Sequence, residues 1–364
     1  MSIKFTSDPM EYQLCSLLGQ CTTDIAVVFL GRYTTNGCLV AMKKYNMEKI
    51  SRAETELIKD EIILMRQLSH SNLLPCLTSF VSGHDVVAIS PLMGYGSCHD
   101  LILRHFNTGL PELLIAIILR DILQALNYMH QKGMIHRAVR ASHILVGADG
   151  VRLTGLRYAC CIRQNSYNYS RRVHSFPLST EPNLSWLSPE ILQQNLLGYN
   201  EKSDVYSVGI TCCELANGVV PFADTPTTLM LTEKVRGMAP QLLDRTTYVL
   251  YDDTGQPNED PDCCRMNDQI KEYSLRKFSE PFHDLNELCL MCDPQERPTP
   301  AQLLSHAFFK QNRRNTQPLH ELLLPAVPIA QENVPVIQGD LEMILAEDKM
   351  SALDLCPVNW DFDS

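Results

Sequence analysis

The chain has 364 residues, 45% of them apolar, and carries 42 acidic against 31 basic side chains for a formal charge of −11. That length admits two or three folding units, or one two-lobed domain, with room for a sizeable core. The acidic balance excludes a general nucleic-acid or anionic-membrane binder, which needs a basic field. The fourteen cysteines are too scattered for a disulfide scaffold. The stretch MSIKFTSDPMEYQ lacks the apolar core of a signal peptide. The longest clean apolar run, Leu113–Leu119, falls far short of the ~18 residues of a spanning helix. A reduced, intracellular protein is expected, in the cytoplasm and with the nucleus as a second compartment.

The first ninety residues read mostly as strands. Tyr12–Leu18 and Ile25–Tyr33 are apolar or alternating, Thr34-Thr35-Asn36-Gly37 supplies a hairpin turn, and Cys38–Lys43 returns as a strand. Residues 52–69 turn helical, with Leu57, Ile58, Ile62, Leu64, Met65 and Leu68 near a 3.6 period. Val86–Leu92 is a short β-rich run, and Gly94-Tyr95-Gly96-Ser97 breaks it as a hinge. From about residue 97 the pattern is mainly helical: Leu113–His130, then Tyr206–Ala216, almost unbroken by charge and therefore central, then Ser279–Cys292 and Ala301–Phe309. Between Arg245 and Arg276 an acidic insert reads as a mobile loop. After Lys310 the spaced Pro318, Pro325, Pro328 and Pro335 predict an extended linker. Residues 331–364 carry eight acids against one base, so −7 of the charge lies there. The boundaries that follow are an extension over 1–11, a small lobe over 12–93, a large lobe over 94–311 containing the insert 245–276, and a tail over 312–364.

A strand-rich small part, a hinge and a helical large part suggest an α+β, bilobal protein-kinase fold. A series of elements supports it in chain order over Tyr12–Lys310. Val40-Ala41-Met42-Lys43 matches the V-A-I-K strand whose Lys pairs the α/β-phosphates. Glu61 stands on the following helix where the Glu holding this Lys belongs. His136-Arg137-Ala138-Val139-Arg140-Ala141-Ser142-His143 matches H-R-D-L-x-x-x-N, and Gly155-Leu156-Arg157 sits where D-F-G belongs. Ser188-Pro189-Glu190 matches A-P-E, Asp204–Gly209 resembles the start of the central kinase helix, and Arg297 matches the late Arg that pairs the A-P-E Glu. Arg137, Glu190, Asp204 and Arg297 are thus structural candidates.

The departures carry the functional reading. Phosphoryl transfer needs a divalent metal to neutralise charge and a carboxylate to orient the substrate hydroxyl. Ala138 stands at the base position, His143 at the Asn that holds one metal, and Gly155 at the Asp that holds the other. Loss of a general base alone costs roughly 10²–10⁴-fold, and metal loss removes further charge stabilisation. Efficient catalysis is not expected, and no catalytic or metal-ligating residue is assigned. Asp149 is the neighbouring carboxylate that could substitute, but it falls in a turn before the next strand. The glycine loop is degraded too: Gly19-Gln20-Cys21-Thr22-Thr23-Asp24 keeps only the first glycine, and Asp24 adds repulsion.

Nucleotide binding remains open. Lys43 and Glu61 survive, Val28, Ala41 and Leu145 could sandwich a purine, and Ser90 takes the gatekeeper position. The Pro91 carbonyl and Met93 N–H could read the adenine edge. Arg140, His143 and Arg157 replace neutral or acidic groups near the phosphates, and arginine binds phosphate without metal. ATP held without magnesium is one expectation; a purely structural Lys43–Glu61 pair with surface arginines is the other.

The run His136–Leu145 with Thr154-Gly155-Leu156-Arg157, the stretches Trp186–Asn195 and Lys202–Ile210, and Met93–Ser97 resemble the STRAD family of Ste20-related pseudokinase adaptors. The resemblance implies an allosteric activator of a Ser/Thr kinase of the liver kinase B type. It also implies a third subunit, a helical-repeat scaffold of the MO-twenty-five family, on which family members dock a terminal Trp-Glu-Phe. This chain has Trp360-Asp361-Phe362, with Asp for Glu and two further residues. Independently, Trp360 is one of two tryptophans and sits with Phe362 in an acidic segment, the setting of an aromatic anchor for a partner pocket. Upstream, Asp340 could cap a short helix presenting Leu341, Ile344 and Leu345. A weakly active Ste20-like kinase and a scaffold that binds no nucleotide are the alternatives. Other features read blandly: Cys289 and Cys292 lack a second pair at zinc spacing. Ser166, Ser170, Ser175, Ser179 and Thr180, near Arg171 and Arg172, are ordinary loop residues or sites whose phosphorylation would order the loop through Arg137.

Overall fold

The computed structural model describes residues 5–20, 25–162, 172–176, 181–194, 197–247, 268–311 and 317–329. Five strands open the chain: β1 (Tyr12–Gln20), β2 (Ala26–Tyr33), β3 (Leu39–Asn46), β4 (Thr78–Ser82) and β5 (Asp85–Pro91), in antiparallel order β1-β2-β3-β5-β4. The β2–β3 turn closes on Gly37, whose N–H bonds the Tyr33 carbonyl at 2.8 Å with φ +75. The β4 strand was not visible in the sequence, because it is outermost, short and polar, with one neighbour and an exposed Val81. Helix α1 (Arg52–Gln67) starts at a capping box: Ser51 accepts from the Glu54 N–H, and the Glu54 carboxylate accepts from the Ser51 N–H at 3.1 Å. Its buried face combines Ile58, Ile62 and Met65 with the carboxylate of Glu61.

The large lobe is built on α2 (Cys98–His105), α3 (Glu112–Gln131), α4 (Pro189–Leu192), α5 (Lys202–Asn217), α6 (Thr227–Val235), α7 (Asp268–Leu275), α8 (Glu280–Cys289), α9 (Pro300–Leu303), α10 (Ala307–Gln311) and α11 (Leu319–Leu322). Two small strand pairs carry the loops at the cleft: β6 (Met134–Ile135) with β9 (Cys160–Cys161), and β7 (Ile144–Gly147) with β8 (Gly150–Leu153). As its pattern predicts, α5 is central, with every residue from Ser203 to Asn217 buried. The α3 helix is long and apolar enough to cross a membrane by length and composition, but 61% of its apolar window is buried inside the lobe.

Three expectations need correction. The run 301–309 is two helices, α9 and α10, separated by a turn in which the Phe308 N–H bonds the His306 ring. The acidic insert does not stay loose to residue 276. Its end is α7, where the Tyr273 hydroxyl donates to the Asn217 carbonyl at 2.6 Å and Arg276 donates to the Leu243 and Thr108 carbonyls at 2.7 and 2.5 Å. Residues 248–267 lie outside the described part. The proline-spaced linker is not extended over 317–329. Leu319 and Leu322 of the short α11 pack against the large-lobe core, and the turn after it places Leu323 and Ala326 within the core, with Leu323 fully buried. The segment then crosses to the hinge, where the Ile329 N–H donates to the Gly94 carbonyl at 2.9 Å. The large lobe therefore runs to 329, past the 311 boundary read from the prolines.

Candidate functional site

The cleft between the lobes collects the residues singled out by the motifs. Lys43, on β3, reaches Glu61 of α1 at 3.0 and 3.3 Å, so the helix is docked against the sheet. The Tyr45 hydroxyl donates to the same carboxylate at 3.0 Å, and burial pushes the Tyr45 phenol pKa up, so it stays a donor. Lys43 also lies 5.0 Å from the centre of the Tyr45 ring. A buried carboxylate with two donors is far better satisfied than one facing a lysine alone.

The loop after β6 is pinned from below. Asp204, fully buried at the start of α5, accepts from the His136 and Arg137 N–H groups at 2.8 Å each and lies 2.8 Å from His130 Nε2. Burial alone would raise its pKa; the His130 contact leads the interactions that bring it below the ordinary carboxylate value. Arg137 thereby holds a left-handed φ of +64. Ala138 follows with a buried methyl group, so its position offers neither proton acceptor nor ligand.

His143 and Gly155 interlock. The His143 Nδ1 lies 2.7 Å from the Ala138 carbonyl, which fixes the tautomer with Nδ1–H as donor. Its Nε2 then accepts from Arg140 at 3.4 Å. Burial, then the adjacent Arg140 charge, holds the His143 pKa well below its usual value, so the ring is neutral near pH 7. Gly155 sits at φ +89, and a Cβ placed there would lie 2.6 Å from His143 Nδ1 and 2.8 Å from its Cγ. The imidazole fills the volume that a side chain at 155 would need. The two departures from the metal-binding pattern are one packing solution.

The purine-side candidates lie on paired strands and beside the hinge. Val28 is the register partner of Lys43, Ala41 of Ser90 and Val40 of Pro91, while Leu145 bridges to Ser97 behind the hinge. Among the described residues, nothing accepts a hydrogen bond from the Met93 N–H. The phosphate-side cations do not come together. Arg140 donates to the Pro182 carbonyl at 2.8 Å and stacks 5.4 Å from the Trp186 ring centre. Arg157 turns to α1 and lies 3.7 Å from Glu54. His143 is neutral. Lys43 is the cation these positions bring to the cleft. Among the described residues, the Met93 N–H has no acceptor, Lys43 reaches Glu61, and no group of three or more His, Cys, Asp or Glu side chains is placed to hold a metal. Asp149 sits at the tip of the β7–β8 hairpin, paired with Arg152 at 2.5 Å.

Two of the remaining structural candidates meet directly. Arg297 is fully buried and grips Glu190 through two bonds of 2.7 and 2.8 Å, with further bonds to the Met291, Cys292 and Lys202 carbonyls. One residue was missed: Glu214, the lone charge in the apolar stretch of α5. Its Oε2 accepts from the Trp186 indole at 2.9 Å and the Ala141 N–H at 3.0 Å, joining α5 to the cleft loop. A single acid inside an apolar helix was the available signal. Gly19 and Gln20 end β1, and residues 21–24 of the degraded glycine loop lie outside the described part. So do Ser166, Ser170, Arg171, Ser179 and Thr180, the 340–345 stretch and Trp360, Asp361 and Phe362.

Lobes, hinge and clamp together define a protein-kinase fold, and the protein kinase domain family matches residues 12–309. Among characterised proteins the chain is 41% identical over 333 residues to the STE20-related kinase adapter protein alpha of Mus musculus, covering 87% of this chain and 77% of that protein. It is 42% identical over 333 residues to the Rattus norvegicus alpha protein, covering 87% and 84%. It is 37% identical over 340 residues to the Mus musculus beta protein, covering 89% and 80%. The chain belongs to the STE20-related kinase adapter family.

Proposed function

We propose that this protein is a pseudokinase adaptor: it binds a Ser/Thr kinase of the liver kinase B type and shifts that partner toward its active state. A helical-repeat scaffold of the MO-twenty-five family is the third subunit. The observation that carries the reading is the combination at the cleft. The Lys43–Glu61 clamp is closed, as in a catalytically competent kinase, while His143 fills the place of a metal-binding carboxylate at 155. A shape kept without its chemistry is useful to a partner that recognises shape. Moving a partner from 1:99 to 99:1 active needs about 5.5 kcal/mol of differential binding. An extensive interface shared with a scaffold is large enough to supply that.

An adenine nucleotide enters this proposal as a stabiliser of the closed shape, with Met93 and Pro91 reading the base and Lys43 holding a phosphate. Because the described residues place Ala138, His143 and Gly155 where a kinase keeps its base and metal ligands, its binding should be indifferent to magnesium. Thermal unfolding with ATP, with and without magnesium, tests this: no shift up to millimolar ATP removes the nucleotide and favours the pure scaffold. Radiolabelled phosphotransfer by the purified chain, against a Lys43→Met control, tests the non-enzymatic reading. Transfer that vanishes in the control would make the chain a weak kinase and overturn the proposal. No transfer, with a rise in partner activity on adding the chain, supports it. Trp360→Ala with Phe362→Ala should abolish capture by the scaffold; unchanged capture refutes tail docking.

A further inference from the structure

Kinase activation segments are commonly ordered by a phosphoryl group that pairs with the arginine of the H-R-D motif. Here that arginine, Arg137, is already spoken for by groups of the chain itself. Its Nε donates to the Tyr158 carbonyl, and its Nη1 donates to the Tyr199 hydroxyl at 3.0 Å. The same hydroxyl donates to the Ser175 carbonyl at 2.7 Å. One phenol oxygen therefore joins the cleft loop to the segment 172–176. Tyr199 itself is buried, at 6% exposure. Its backbone is paired both ways with Val173, at 2.8 and 2.9 Å. That close approach requires Gly198: it holds φ +71, and a Cβ there would lie 2.7 Å from the Val173 carbonyl oxygen. Arg172 adds a bond to the Leu197 carbonyl at 3.1 Å.

We propose that the Tyr199 hydroxyl takes the structural place of an activation-segment phosphoryl group, fixing residues 172–176 against Arg137 without modification. A phosphoryl group presents anionic acceptors to the guanidinium. The phenol presents one neutral acceptor, and it spends its proton on Ser175, so it reaches both sides at once. Burial holds the phenol in its protonated form, which the bridge requires. Tyr199 is thus a positioning residue.

Hydrogen exchange of the full chain tests the proposal. Tyr199→Phe removes one oxygen and keeps the ring. The Val173 and Tyr199 amides, which pair with each other's carbonyls, should exchange about ten- to a hundredfold faster, the loss expected of a hydrogen bond to a charged donor. The α5 amides should be unmoved. Arg137→Met should give the same local opening, Arg137→Lys a smaller one, and the double variant Arg137→Met with Tyr199→Phe no more than either alone. Phosphatase treatment of the wild-type chain should leave protection unchanged, an arm that needs no variant to fold. Unaltered exchange in Tyr199→Phe, fully additive effects in the double variant, or opening on phosphatase treatment alone would each overturn the proposal.

Discussion

Putting an aspartate back at Gly155 should destabilise the chain instead of reviving it. The new Cβ would lie 2.6 Å from His143 Nδ1, well inside van der Waals contact. The ring cannot yield without breaking its 2.7 Å bond to the Ala138 carbonyl. A left-handed backbone costs a non-glycine residue about 1–2 kcal/mol. Overpacking a filled site costs about 1–3 kcal/mol, and the lost hydrogen bond about 1 kcal/mol. Together these put Gly155→Asp on the order of 3–6 kcal/mol below wild type, before relaxation lowers the figure. For a domain of this size that is a drop of roughly 5–15 °C in melting temperature. Thermal unfolding of the full chain measures it. The double variant Gly155→Asp with His143→Asn should recover about 1–3 kcal/mol, because the colliding ring is gone. A Gly155→Asp chain that melts like wild type, or a double variant with purely additive effects, would refute the interlock.

Arg297→Met leaves the Glu190 carboxylate buried and unpaired, so it should cost about 3–5 kcal/mol in chemical denaturation. Lys234 is buried between the Tyr206 and Phe222 rings, donates to the Ser185 and Leu187 carbonyls, and burial lowers its pKa to about 7. Its folded pKa lies below the unfolded one, so above pH 7 the unfolded chain binds more protons at this site and stability gains as pH rises. Relative to Lys234→Met, wild type should therefore gain up to about 1.4 kcal/mol per pH unit between pH 7 and 9.5, read from denaturant midpoints. A flat difference would mean that the ammonium is better solvated than its burial implies. Leu323→Ala should lower stability by about 2–5 kcal/mol, as for a buried leucine in a core; a surface-like change below about 0.5 kcal/mol would mean that 317–329 is not part of the large lobe.

Much of this molecule was legible in its residues, because the kinase fold places chemistry at fixed points along the chain. The Val40–Lys43 strand, the Glu61 helix, the Asp204 helix and the Glu190–Arg297 pair all stand where their motifs put them. Side-chain direction was less legible. Arg140 and Arg157 occupy positions near the phosphates in the linear pattern, yet one turns to Pro182 and the other to Glu54. An arginine reaches several acceptors from one Cα, and packing chooses among them. Nor could a pattern of residue types reveal that His143 is neutral, since burial beside a guanidinium decides that. The bridge through Tyr199 was hidden because its partners lie 62 and 24 residues away. Proline punctuation misled at 317–329: α11 ends at Leu322 as the prolines suggest, yet the turn after it brings Leu323 and Ala326 into the core.

The strap that ends at Ile329 fixes the point from which the rest of the chain departs. That point is Gly94, the joint the two lobes share, and not the far end of the large lobe where α10 closes. The departure point sets a reach: Trp360 follows Ile329 by 31 residues, which at full extension is about 110 Å from the joint. A pull on the chain beyond Ile329 would meet the Ile329–Gly94 bond and then the buried Leu323, so tension there would be felt first at the hinge.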